Sequence, residues 1–250
     1  MEKPHDTGKL SLTGSALKWI AILSMFIDHT GAFLIEPYLL NHGIEIGSIF
    51  GGTSLSADSP YSVLFQIDIA SRLIGRLAFP IFAFLLVEGF IHTRNLNRYI
   101  FQIGFFALLS EIPFDLAHAG TFLESSHQNI FFTLFIGLLC ISFFDKLKGT
   151  YVSKWFILLI ALVLSDFFNV DYSMVGLLTL FIFYYFHDDP ILRNILNGSL
   201  FLLNLTAVFS LFLIQFYNGK RGKQIKLFFY IFYPAHLVLF YLIRNLPWFT

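Results

Sequence analysis

Charged residues are scarce in this sequence. Asp, Glu, Lys and Arg make up 13% of its 250 residues, whereas they form about a quarter of an ordinary soluble domain. So few charges cannot cover the surface of a soluble protein, and that class is excluded. The sixteen basic residues balance the sixteen acidic ones, so no excess of positive charge points to a nucleic-acid partner.

Cysteine is also nearly absent, and so are the signatures of several enzyme classes. The single cysteine, Cys140, lies in an apolar run, which excludes an internal disulfide and a multi-cysteine metal site. The sequence has no HExxH motif, no Gly-rich phosphate loop and no serine-nucleophile elbow. Its histidines are not spaced as metal ligands, and we expect no metal cofactor.

Long apolar runs dominate what is present. Residues of the set AVILMFWYC make up 56% of the chain, and mean hydropathy is +0.72. A membrane-spanning helix needs about 20 mostly apolar residues, and the candidate runs are residues 16–38, 69–92, 98–117, 128–145, 154–168, 172–187, 191–217 and 227–246. We therefore expect a single all-α domain over residues 1–250, a polytopic transmembrane bundle of eight or nine spanning helices. Asn197, Gly198 and Asn204 predict a broken or re-entrant segment within 191–217.

Lysine and arginine alternate between the two sides of these runs. They occur before the first run, between the second and third, and between the fourth and fifth, whereas the loops 39–68, 118–127 and 166–173 contain none. Since cytoplasmic loops are enriched in Lys and Arg, the pattern predicts a multi-pass protein of the plasma (inner) membrane with a cytoplasmic amino terminus. The basic block at 220–226 then favours a cytoplasmic loop, which a re-entrant 191–217 segment would permit.

Ionisable side chains inside the predicted spans mark a candidate site, because they are costly in hydrocarbon. Lys18 and His29 are eleven residues apart, which places them on one helix face about 16 Å apart along the axis. The alternative is a snorkelling lysine and a hydrogen-bonded core histidine. Arg72 and Arg76 share a face of the second span and need carboxylates or an anionic ligand. A purely structural charge network is the alternative for this pair.

Dense motifs along nearly the whole chain resemble the TraX family. The matching stretches are 17–21 with 28–29, 72–84, 88–90 with 92–95, 111–115, 217–222 and 230–237. The resemblance implies an integral membrane acyltransferase, of which the founding type uses acetyl-CoA to acetylate the N-terminus of pilin. A remoter resemblance, to membrane acyltransferase family 3, rests on the spacing of Lys18 and His29 and on the stretch from Arg76 to Pro80. Enzymes of that second family usually have ten helices, more than we find here.

Acyl transfer requires a base that takes a proton from the acceptor, and the resemblance implies that a histidine is this base. His29 is the expected base for the acceptor, because imidazole takes up a proton near neutral pH. Asp28 is its neighbour in the sequence, and His236 in the last span is the alternative base. A carboxylate that orients the base is expected from another helix, with Glu111 and Asp115 as the candidates.

Basic side chains are expected to serve the donor, acetyl-CoA. Arg72 and Arg76 can stabilise an oxyanion or hold a carboxylate. The candidates for binding the donor phosphates are Lys18, Arg94, Arg98, Lys220 and Arg221. The expected partners are thus the lipid bilayer, acyl-CoA and an acceptor of unknown identity, such as a pilin-like or other peptide. A transporter or channel that uses the same buried charges, and a non-catalytic membrane scaffold, are the alternatives.

Overall fold

The computed structural model describes residues 11–44, 55, 58–147, 151–223, 225–247 and 249, and this part of the chain is helical. Its only extended pairings are two isolated bridges, so the all-α prediction is confirmed. The helices are α1 Gly14–Thr30, α2 Glu36–Asn41, α3 Ser62–Gly75, α4 Ala78–His92, α5 Leu96–Ala119, α6 Ile130–Lys146, α7 Tyr151–Phe167, α8 Ser173–Tyr185, α9 Pro190–Leu200, α10 Val208–Gln215 and α11 Lys226–Arg244.

Among the described residues, four helical segments are long and apolar enough to cross a membrane: Gly14–Asn41, Ser62–His92, Leu96–Ala119 and Leu227–Arg244. In the first of these, the Thr13 hydroxyl accepts a hydrogen bond from the Ala16 amide and starts α1. A π-helical segment, Gly31–Ile35, then joins α1 to α2. Such an insertion rotates the helix face locally and is frequent at functional sites. Here it begins two residues after His29.

The second segment is interrupted where α3 meets α4. The helix stops at Gly75 and resumes at Ala78, and Pro80 is the third residue of α4. Since proline has no amide hydrogen, it cannot donate to the carbonyl four residues earlier, which belongs to Arg76. The helix is therefore broken one turn before the proline, and Arg76 lies at the discontinuity.

The segment from α9 to α10 enters the bundle and returns to the end from which it started. Before α9, His187 bonds to Glu88 near the end of α4. A 3₁₀ stretch, Phe201–Ala207, separates α9 from α10, and the carbonyls of Phe216 and Lys220 then accept hydrogen bonds from the amides of Leu12 and Gly14. We call this end, where residues 11–15 meet 216–223, the amino-terminal end. The re-entrant form of 191–217 is thus the one observed.

In the part of the chain that the structure describes, seven helical segments run from one end of the bundle to the other, and two half-helices, α9 and α10, do not. The last segment, α11, runs from the amino-terminal end to the opposite end, where Arg244 donates to the carbonyl of Ala117 in α5. Buried side chains from α1, α4, α6 and α8 form the centre, with Leu17, Ile81, Leu138 and Leu180 fully enclosed. The chain is a helical membrane protein.

Candidate active site

Two histidines from opposite ends of the sequence meet inside the bundle. His29 Nδ1 of α1 lies 2.6 Å from His236 Nε2 of α11, and the rings are tilted by only 12° with centroids 4.9 Å apart. The nitrogen separation is shorter than the contact distance of about 3.5 Å between stacked rings. The two rings are therefore bonded edge to edge, roughly in one plane. Aromatic rings surround His29, with Phe33 and Tyr233 both edge-on to it.

An ion-pair network surrounds the arginine of α3. Arg72 lies 2.8 Å from a carboxylate oxygen of Asp28 and 3.2 Å from one of Glu36, and it is close enough to His29 to act on it electrostatically. Asp68, which is 2% exposed, lies within the electrostatic range of Arg72, Asp28 and Glu36. The network joins α1 to α3 beside the histidine pair. Its carboxylates are the partners that a guanidinium inside a membrane protein needs.

Two glycines permit this close approach of α1 to α3. A Cβ atom at Gly75 would lie 2.2 Å from Asp28, and one at Gly31 would lie 2.8 Å from the Asp68 carboxylate. Only a residue without a side chain fits at such distances. The glycine in the Arg72–Arg76 stretch is therefore part of the site's construction.

Several site residues were not found by the sequence reasoning. The Arg76 side chain hydrogen-bonds to Tyr172 and acts electrostatically on Asp171, two residues at the turn between α7 and α8. Tyr172 stacks on Phe79 with a centroid distance of 4.1 Å. Tyr172 and Ser173 have φ angles of 61° and 41°, a costly conformation outside glycine that is common at functional sites. No sequence signal distinguishes these residues from ordinary turn residues.

The two carboxylates expected to orient a histidine have other partners. Glu111 accepts hydrogen bonds from the backbone amide and the side-chain amide of Asn129, and Asp115 accepts from the amide of Glu124. Asn129 in turn caps α6 through the Phe131 amide. Both carboxylates therefore organise the α5–α6 connection, and the hydrogen-bond partner of His29 is an imidazole instead.

Basic candidates for donor binding all lie at the amino-terminal end. Lys18 Nζ is 5.3 Å from the centroid of the ring of Phe229, which lies in the first turn of α11. Arg94 and Arg98 are exposed where α4 connects to α5, and Lys220 and Arg221 are exposed in the loop that pairs with residues 11–15. Arg221 also acts electrostatically on Tyr99 and Tyr230. These side chains share one end, and the histidine pair lies about three turns deeper.

A further buried polar cluster holds the re-entrant segment. Glu88 accepts a hydrogen bond from His187 at 2.8 Å, and the Arg193 guanidinium lies 5.4 Å and 5.9 Å from the ring centroids of Phe84 and Phe183. Glu88 also hydrogen-bonds with Tyr217. Within the described residues, no group of three His, Cys, Asp or Glu side chains is placed to hold a metal ion. The cluster therefore fastens α9 to α4 and α8 through polar contacts.

Sequence comparison finds relatives that match this chain over most of its length. The chain is similar to the probable fimbrial assembly protein FimC, serogroup H1, of Dichelobacter nodosus, with 27% identity over 259 residues that cover 89% of this chain and 92% of that protein. No solved structure matches this chain. The model of the family described as TraX protein matches residues 13–244. Because this match includes both histidines, both arginines and the basic end, the chain belongs to the TraX family.

Proposed function

We propose that this protein is a membrane acyltransferase that moves an acetyl group from acetyl-CoA to an acceptor amine or hydroxyl. The observation that carries the proposal is the His29–His236 pair, set beside the Arg72 network within the bundle. An imidazole can accept and return a proton during acyl transfer. Guanidinium groups near it can stabilise negative charge on the carbonyl oxygen of the thioester.

The reaction balances with these groups alone. The acceptor nitrogen or oxygen attacks the acetyl carbonyl, a C–N or C–O bond forms, and the C–S bond of the thioester breaks. The proton lost by the acceptor goes to His29 and then to the departing CoA thiolate. Since Arg72 is held by two carboxylates, Arg76 at the helix break is the guanidinium assigned to the developing oxyanion.

The donor is assigned to the amino-terminal end because CoA carries phosphates and the exposed basic side chains lie there. The positive-inside rule assigns this end to the cytoplasm, where acetyl-CoA is made. The pantetheine arm of CoA is long enough to lead the acetyl group inward, toward His29. In this arrangement Lys18 lies between the phosphates and the histidine pair.

The acceptor is assigned to the opposite end. The name of the Dichelobacter nodosus relative describes fimbrial assembly, and this supports a pilin-like peptide as the acceptor class. The ion pair of Arg72 with Glu36 lies on the side of His29 toward that end, since α1 runs from Gly14 outward to α2. An acceptor entering there would meet His29 from the side opposite the donor.

The test is transfer from labelled acetyl-CoA by the purified protein in detergent or nanodiscs, with a pilin N-terminal peptide, simple amines and water as acceptors. We expect release of free CoA and labelling of one acceptor. His29→Ala should lower kcat by roughly 10²–10⁴-fold, the usual worth of a general base. The matched control is His42→Ala, because His42 directly follows the same helical segment, is exposed, and its ring nitrogen Nδ1 bonds to the carbonyl of Tyr38.

Two results would overturn the proposal. One is no CoA release with any acceptor from a protein that remains folded. The other is equal loss of activity in His29→Ala and His42→Ala, because an effect that does not distinguish the buried histidine from the exposed one is not base catalysis.

A further inference from the structure

We infer that His236 is a positioning residue: it fixes the tautomer of His29, so that Nε2 of His29 is the atom that takes the acceptor's proton. This inference rests on the proposed acyl transfer. It assigns separate roles to two histidines that the sequence presents as alternative bases.

The assignment begins at the carbonyl of Phe232. His236 Nδ1 lies 2.7 Å from this oxygen, and a backbone carbonyl only accepts hydrogen bonds. His236 Nδ1 must therefore carry a hydrogen. In a neutral imidazole the second nitrogen is then bare, so His236 Nε2 is an acceptor.

The next step follows from the bond between the rings. Since His236 Nε2 is an acceptor, the 2.6 Å contact with His29 Nδ1 requires the hydrogen to be on His29. His29 Nδ1 is the donor, and His29 Nε2 carries the lone pair. The opposite direction would require a doubly protonated, cationic His236, which is disfavoured in a site that is 4% exposed and surrounded by Phe26, Phe232 and Phe240.

The remaining nitrogen of His29 is available for chemistry. No hydrogen bond to His29 Nε2 is found among the described residues, and it is not one of the occluded, unpaired polar atoms. Three of the four nitrogens of the pair are thus used in a chain that ends on Phe232, and the fourth, His29 Nε2, is left to accept a proton. His236 does the work that a carboxylate does when it orients a catalytic histidine.

Local structure explains why α11 can supply this chain of bonds. Pro234 lies two residues before His236 and inside α11, where it has no amide hydrogen to donate to the carbonyl of Tyr230. His236 turns back along its own helix to the Phe232 carbonyl. The stacking of its ring on Phe232, with centroids 5.0 Å apart and a tilt of 15°, keeps it in that orientation.

Two substitutions at one position separate positioning from base catalysis. In His236→Gln, the amide oxygen reaches the place of Nε2 and can accept from His29, so we expect kcat within about tenfold of the unsubstituted protein. In His236→Asn, the shorter amide reaches only toward Phe232, and kcat should fall by roughly 10²-fold or more, with little change in KM. His29→Gln should be inactive.

A measurement on the unsubstituted protein tests the tautomer without using activity. Nitrogen NMR of ¹⁵N-imidazole-labelled protein should show His29 with hydrogen on Nδ1 and a bare Nε2, and His236→Asn should convert this signal into a mixture of tautomers. His29 with hydrogen on Nε2 overturns the inference, and so does a His236→Gln variant as inactive as His29→Gln. If the tautomer is as stated but no acetyl transfer occurs, the proposed function fails and the positioning role of His236 stands.

Discussion

At the scale of single residues, Gly75 sets how closely α1 and α3 approach. A Cβ atom there would lie 2.2 Å from Asp28, whereas one at Gly198, another helical glycine, would lie 3.7 Å from its nearest neighbour, Leu211. Gly75→Ala should therefore lower the free energy of unfolding by about 1–3 kcal/mol through overpacking. Gly198→Ala should have no cost or raise stability slightly. Thermal unfolding of both variants in the same detergent checks this, and equal transition temperatures would contradict the close approach.

Lys18 is a residue whose expected effect is on binding and not on the chemical step. It lies about 16 Å along α1 from His29, at the end assigned to CoA. Lys18→Ala should raise KM for acetyl-CoA severalfold and leave kcat nearly unchanged, because it removes ground-state binding. Lys154→Ala is the matched control, since its Nζ also lies 5.3 Å from a Phe ring centroid, that of Phe144 in α6. A fall in kcat alone would contradict the assignment of Lys18.

At the scale of helices, the re-entrant segment decides on which side its flanking loops lie. Asp188 precedes α9 and Asn218 follows α10, and the structure brings both to the amino-terminal end, whereas Ser125 lies in the α5–α6 loop at the opposite end. Single cysteines at these three positions, in a Cys140→Ser background, should be labelled from one side at 188 and 218 and from the other side at 125. Labelling of positions 188 and 218 from opposite sides would mean that the segment crosses the membrane.

The helices themselves were largely predictable, because apolar runs of spanning length leave few alternatives in a membrane. The predicted run 98–117 corresponds to α5, and Asn197 with Gly198 correctly indicated a broken segment, although the 3₁₀ stretch begins slightly later, at Phe201. The break at Arg76 follows from the chemistry of Pro80. The π-helical segment after His29 was not predicted, since no residue type requires it.

The site was predictable only in part, because sequence spacing reports on one helix at a time. Spacing placed Lys18 and His29 on one face of α1, and burial of arginine implied carboxylate partners. It could not show that His29 meets His236, which is 207 positions away. Nor could spacing show that Glu111 and Asp115 accept hydrogen bonds from Asn129 and Glu124. A carboxylate can accept from any donor that the fold brings near it.

At the scale of the whole molecule, the two ends of the bundle differ in chemistry. Exposed basic side chains gather at the amino-terminal end, while the network of Asp28, Glu36, Asp68 and Arg72 lies beside the histidine pair and extends through Glu36 toward the opposite end. This polarity leads to the central claim, that an anionic donor enters from the amino-terminal end.

The most direct test uses proteoliposomes in which the protein has one orientation, established by labelling a cysteine at position 218. Labelled acetyl-CoA, which does not cross the bilayer, is supplied on one side only. We predict His29-dependent release of CoA when the donor is on the side of position 218, and none when it is on the other side. Release only from the side of the α5–α6 loop would contradict the account.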